Sequence, residues 1–115
     1  MNSGLTSDQE AERLNFRKFV AAEIEPYAEQ LDRDEKIPTR LIQLLARERL
    51  LGAALPESWG ARECDWITYG ILHEQIGRAC SSVRSLLTVH DMVAHAVLRW
   101  GTADQRQQWL PRLIG

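Results

Sequence analysis

Cysteine is scarce in this chain. Cys64 and Cys80 are the two in 115 residues, and no paired spacing links them. A disulfide framework is excluded, and both read as reduced thiols of a cytoplasmic protein. Cysteine and histidine never cluster at the spacing a zinc site needs. Charge of either sign is not in excess: 14 Lys and Arg stand against 16 Asp and Glu, for a net −2. That balance gives no reason to expect nucleic acid or an anionic membrane as a partner. The opening Met-Asn-Ser-Gly-Leu-Thr-Ser-Asp has no basic-then-apolar leader. No apolar run approaches the roughly 20 residues of a membrane span. A phosphate loop, a dinucleotide-binding glycine pattern and a nucleophile elbow are all missing. So is any clean two-residue alternation that would make a strand. The remaining expectation is one all-α domain over 1–115, five or six helices with short loops in a bundle-like array.

The stretch from Ser81 to Gly101 is the organising element. Proline-free, it reads as one long helix, with Ser81 or Ser82 as its N-cap and Gly101 as a left-handed stop. Arg84, Thr88, Asp91, His95 and Arg99 recur at steps of four, three, four and four. At about 100° per residue they share a stripe of roughly 80°. Apolar residues cover nearly all the rest, which predicts a central helix packed on several sides. The stripe is then a strip of surface or the wall of a pocket. His95 stands one turn after Asp91 and is its expected partner. His90 lies on the opposite face and reads as a satisfied core histidine.

Around this helix the chain is punctuated in order. Met1 to Leu5 reads as a frayed end. Ser7 and Glu10 form a candidate capping box. Pro26 should break the first helix near Glu25. Pro38 opens a second helix that Gly52 ends, and a Pro- and Gly-punctuated loop runs over 53–61. Asp65 caps a helix from Trp66 to Ala79. Gly70 and Gly77 cost it about 1 kcal/mol each relative to alanine, which implies close helix approach there. Thr102 and Gln105 form a further capping box for a last helix that contains Pro111.

Three segments, in order, resemble the N-terminal helical domain of the acyl-CoA dehydrogenase family. The first is Glu23-Ile24-Glu25-Pro26-Tyr27-Ala28 with Asp32 and Pro38. The second is Leu50-Leu51-Gly52-Ala53-Ala54-Leu55-Pro56-Glu57-Ser58-Trp59-Gly60. The third runs from Ser82-Val83 through Val89-His90 to Gly101-Thr102-Ala103-Asp104-Gln105 and ends in Trp109-Leu110-Pro111-Arg112-Leu113. Together they span about Leu14 to Gly115. Two positions depart from the family. Ala61 replaces the second of two paired glycines, and would be strained if a positive φ were needed there. Glu63 and Cys64 replace small or apolar residues.

The resemblance implies an FAD-dependent acyl-thioester dehydrogenase. Members are about three times longer and continue into a β-domain and a second helical bundle, so the chain is expected to be a fragment. It implies no catalytic residue in this chain, since the family's glutamate base and main FAD-binding segments lie further on. It implies one wall of the acyl pocket, lined by Arg84, Thr88 and Met92. Thr88 matches a position where medium-chain members set a polar residue at the foot of the pocket. An arginine facing a plain fatty tail is costly to desolvate, so Arg84 points to a short or polar acyl group, such as a hydroxylated or carboxylated one. The run Cys80-Ser81-Ser82-Val83-Arg84-Ser85-Leu86-Leu87 is similar to members that oxidise acyl groups on a carrier protein. The implied partners are an acyl-CoA or acyl-carrier-protein substrate, an electron-transfer flavoprotein or other acceptor, and further copies in a homo-oligomer. The alternatives are a flavin oxidase or monooxygenase of the same superfamily, or a non-catalytic dimerisation or docking module.

Overall fold

Six α-helices and two single 3₁₀ turns make up the computed structural model, which describes residues 4–115. They are α1 (Ser7–Glu23), α2 (Ala28–Asp34), α3 (Thr39–Arg47), α4 (Trp66–Ala79), α5 (Ser81–Trp100) and α6 (Ala103–Ile114), with turns at Glu25–Tyr27 and Glu57–Trp59. No strand occurs among the described residues. The all-α expectation holds. Of the frayed end expected over residues 1–5, the first three lie outside the described residues. Leu5 packs against the core.

Local chemistry sets most of the boundaries. Asp65 caps α4 by accepting from the Thr68 amide at 2.7 Å. Thr102 and Gln105 close the expected capping box of α6. The box of α1 is one residue earlier than expected: Thr6 accepts from the Gln9 amide, and the Gln9 side chain accepts from the Thr6 amide. Glu10 is instead ion-paired with Arg13. At Pro26 the helix breaks as expected: α1 ends at Glu23 and a 3₁₀ turn carries the chain into α2.

Two expectations about the ends of α5 fail. Its N-cap is Cys80, extended at φ −157° with no side-chain cap, and the two serines lie inside the first turn. Cys80 is the entire link between α4 and α5. With one residue to turn in, the helix must restart at once. Gly101 is extended at φ −73°, not left-handed. It is glycine for a different reason, since a Cβ there would stand 2.5 Å from the Val97 carbonyl oxygen. The chain also leaves α3 at Arg47, ahead of Gly52. Both Arg49 and Gly52 adopt left-handed φ in the loop that follows. Ala61 is fully buried and has no positive φ; Gly60 and Glu63 take those conformations. The Gly60-Ala61 departure therefore carries no strain at Ala61.

The main core joins α1, α3, α4 and the first half of α5 through Phe16, Ile24, Leu45, Leu72, Ile76, Val83 and Leu87. A second cluster joins Leu55 and Ala61 of the loop to Ala94 of α5 and Leu110 and Ile114 of α6. The molecule measures 41 × 39 × 18 Å. A helix with its side chains is about 10–12 Å across, so a plate this thin cannot cover α5 on all sides. Val83, Leu87, Asp91 and Ala94 form its buried face. Val89, Met92, Val93 and Trp100 are exposed on the far side. The expectation of a helix packed all round is corrected accordingly.

Candidate functional site

The polar stripe of α5 lies along a seam with α4. The two helices run antiparallel from the Cys80 link, and α4 brings its own row: Trp66, Tyr69, His73 and Gly77, spaced three, four and four. Row meets row, rung by rung. Arg84 crosses α4 at Gly77. Thr88 Oγ1 lies 3.5 Å from His73 Nδ1, and donates to the Arg84 carbonyl at 3.0 Å. The Tyr69 hydroxyl donates to Asp91 Oδ2 at 2.5 Å. The ring of Trp66 stands 5.7 Å from that of His95, centroid to centroid. Arg99 leaves the seam and lies over the Trp100 ring at 5.2 Å. Periodicity legible in the sequence of α5 was matched by periodicity in α4, which the sequence reading did not use.

Asp91 is the tie of this seam. Its side chain is 2% exposed. Oδ2 takes the Tyr69 hydroxyl, and Oδ1 takes the Gly52 amide at 2.8 Å. One carboxylate thus pins α5 to α4 and to the loop after α3. The partner expected for Asp91, His95, does not bond it. With both oxygens engaged and no exposed edge, Asp91 acts as a structural tie.

Burial sets the protonation of its neighbours. It pushes the Tyr69 phenol well above its ordinary range, and the hydrogen bond to Asp91 adds to this. Burial pulls His73 below the usual imidazole value. Asp91 opposes that pull and Arg84 reinforces it. The Nε2 atoms of His73 and His95 are buried with no partner. His90, on the other flank, bonds the Leu113 carbonyl; it is satisfied as expected, but half-buried rather than in the core.

Arg84, Thr88 and Met92 are stacked one turn apart on the edge of α5 beside the seam. Arg84 is exposed, Thr88 is half-buried and Met92 is 66% exposed. Next to them runs the apolar face, ending in Trp100 at 74% exposure. The residues form a rim, polar at the Arg84 end and apolar at the Trp100 end. A cleft of about 330 Å³ elsewhere, bounded by Tyr27, Leu31, Pro38 and Arg40, includes none of them. Among the described residues no group of His, Cys, Asp and Glu could hold a metal ion, and no helix is long and apolar enough to cross a membrane.

Comparison with known proteins places the fold. Residues 6–115 match the model of the acyl-CoA dehydrogenase N-terminal domain. The mitochondrial short-chain specific acyl-CoA dehydrogenase of Mus musculus is 33% identical over 99 residues, covering 85% of this chain and 24% of that protein. The (2S)-methylsuccinyl-CoA dehydrogenase of Cereibacter sphaeroides is 32% identical over 112 residues, covering 96% of this chain and 20% of that protein. Among solved structures, glutaryl-CoA dehydrogenase from Mycobacterium smegmatis superposes with a TM-score of 0.91 at 26% identity, covering 99% of this chain and 30% of that one. A second structure of a glutaryl-CoA dehydrogenase from M. smegmatis, in complex with FADH2, superposes at 0.90 with 24% identity over 96% of this chain and 28% of that one. The chain thus spans between 20% and 30% of the length of these proteins. It belongs to the acyl-CoA dehydrogenase family, whose N-terminal helical domain it forms.

Proposed function

We propose that this domain forms one wall of the acyl pocket in an FAD-dependent acyl-thioester dehydrogenase, and that the Arg84 end of the wall receives a short acyl group ending in a carboxylate. The observation that carries the reading is the rim of α5. Arg84, Thr88 and Met92 follow one another at one-turn steps, and the apolar face beside them is left open. Met92 and the flanking valines suit the methylenes of an acyl chain. Thr88 has a hydroxyl at mid-wall. Arg84 has no acidic partner within ion-pair distance among the described residues, where the ion pairs are Arg13–Glu10 and Arg62–Glu12. A guanidinium closed into a pocket without an anion is costly, and a substrate carboxylate would supply that anion as a paired acceptor.

The names of two similar proteins support the choice. Methylsuccinyl and glutaryl thioesters both end in a free carboxylate. FAD, when bound, accepts the hydride from the acyl β-carbon. The role assigned to these side chains concerns the acyl group alone. The thioester carrier is CoA or a carrier protein, and this wall meets the acyl portion of either.

The test uses the protein expressed from its full reading frame, assayed with glutaryl-CoA and with valeryl-CoA, which has the same chain length and no carboxylate. The native protein should prefer the glutaryl thioester. Arg84→Ala should lower that preference about tenfold or more, the value of one charge-assisted hydrogen bond. An Arg84→Ala protein with its preference intact would remove the reading.

A further inference from the structure

Gly77 sits inside α4, where glycine weakens a helix relative to alanine. A helical glycine is commonly explained by the close passage of another backbone, and here that explanation fails. A Cβ at Gly77 would stand 2.7 Å from Cδ, 3.3 Å from Nε and 3.7 Å from Cγ of Arg84, and these are its three nearest neighbours. All belong to one side chain. Gly70, two turns earlier on the same helix, has nothing within 4 Å of the same construction. The missing Cβ at residue 77 is thus a notch, and the stem of Arg84 lies in it.

We propose that Gly77 is the positioning residue for Arg84: its notch seats the arginine stem across α4 and thereby fixes where the guanidinium meets the polar end of the acyl group. The inference rests on the reading that Arg84 receives that group. Cγ, Cδ and Nε of the stem occupy the space a Cβ at residue 77 would fill, and these atoms determine the direction of the guanidinium plane. Bidentate recognition of a carboxylate depends on that direction. The rung one turn back along α4 holds His73, whose imidazole already feels the Arg84 charge. The Gly77–Arg84 rung sets the guanidinium at the Cys80 end of the seam, one turn from the Thr88–His73 rung.

Gly77→Ala separates this role from a structural one. The clash falls on a flexible side chain, which can swing aside, and alanine favours the helix. The full-length variant should therefore melt at or above the native temperature. Its kcat/KM for glutaryl-CoA should fall about tenfold through a higher KM, with valeryl-CoA turnover unchanged. In an Arg84→Ala background the same substitution should have no further effect on the ratio of the two substrates. Three results would overturn the proposal. If Gly77→Ala keeps the native preference while Arg84→Ala destroys it, the reading of Arg84 stands and the seat is dispensable. If Gly77→Ala lowers the melting temperature and slows both substrates alike, the glycine serves helix packing. If Arg84→Ala itself leaves the preference intact, the functional reading fails and the seat fails with it.

Discussion

Asp91 of α5 accepts the backbone amide of Gly52 at 2.8 Å, across 39 residues of sequence. The contact explains how a loop without regular structure keeps its place. Leu50, Leu51 and Ala53 are buried around the glycine, and the carboxylate satisfies an amide that no helix or strand partners. It also explains why a helix with an open apolar face keeps a charged residue on its inner side.

Removing that carboxylate should be costly. Asp91→Ala leaves the Gly52 amide and the Tyr69 hydroxyl without their acceptor in a buried place. We expect a loss of about 2–4 kcal/mol, near the upper range for single substitutions. Asp91→Asn retains an acceptor oxygen and should lose roughly half as much. Urea unfolding of the three proteins measures both.

Tyr69 adds a dependence on alkaline pH. Its folded pKa is raised, by burial first and by Asp91 second. The folded state therefore holds this proton more tightly than the unfolded chain. The stability it contributes is complete below about pH 10, the unfolded value, and declines as pH rises beyond it. Tyr69→Phe should be less stable than the native protein at pH 8, and the gap should narrow by pH 11. Chemical denaturation at the two pH values checks this.

His73 acts at the acid end. Burial lowers its folded pKa below the ordinary 6.5. The unfolded chain then binds the proton more readily, so stability is complete above about pH 6.5 and falls as pH drops through the lowered value. His73→Gln should flatten the decline in melting temperature between pH 7 and pH 5. Thermal scans across that interval show the slope.

The open face of α5 should make the isolated 115-residue domain self-associate at high concentration. Val89, Met92, Val93 and Trp100 are all at least half exposed along one side of the helix. Replacing Met92 and Val93 together by glutamate should give a monomer in sedimentation velocity, with an unchanged melting temperature because neither contributes to the core.

Local signals in the sequence were legible. Asp65 before Trp66, Thr102 with Gln105, and Pro26 after Ile24 each act within one turn, and each sets a boundary where the chemistry requires it. The N-cap of α5 was not legible. A one-residue link overrides the preference of serine for caps. The seam was half legible: the α5 row stood out because its residues are polar in an apolar helix. The α4 row mixes tryptophan, tyrosine, histidine and glycine, whose common face appears only when the helices are paired. The outer face of α5 was misread because exposed Val and Met look like core residues until the 18 Å thickness of the plate is known. Arg84, Thr88 and Met92 came from family resemblance, and the structure puts all three on one rim.

The most direct measurement is the visible absorption spectrum of the protein expressed from its full reading frame, recorded before and after anaerobic addition of glutaryl-CoA. A wall of a flavoenzyme's acyl pocket predicts an oxidised flavin band that bleaches with this thioester at a lower concentration than with valeryl-CoA. A folded but colourless protein, or a flavin that neither thioester bleaches, would contradict the account.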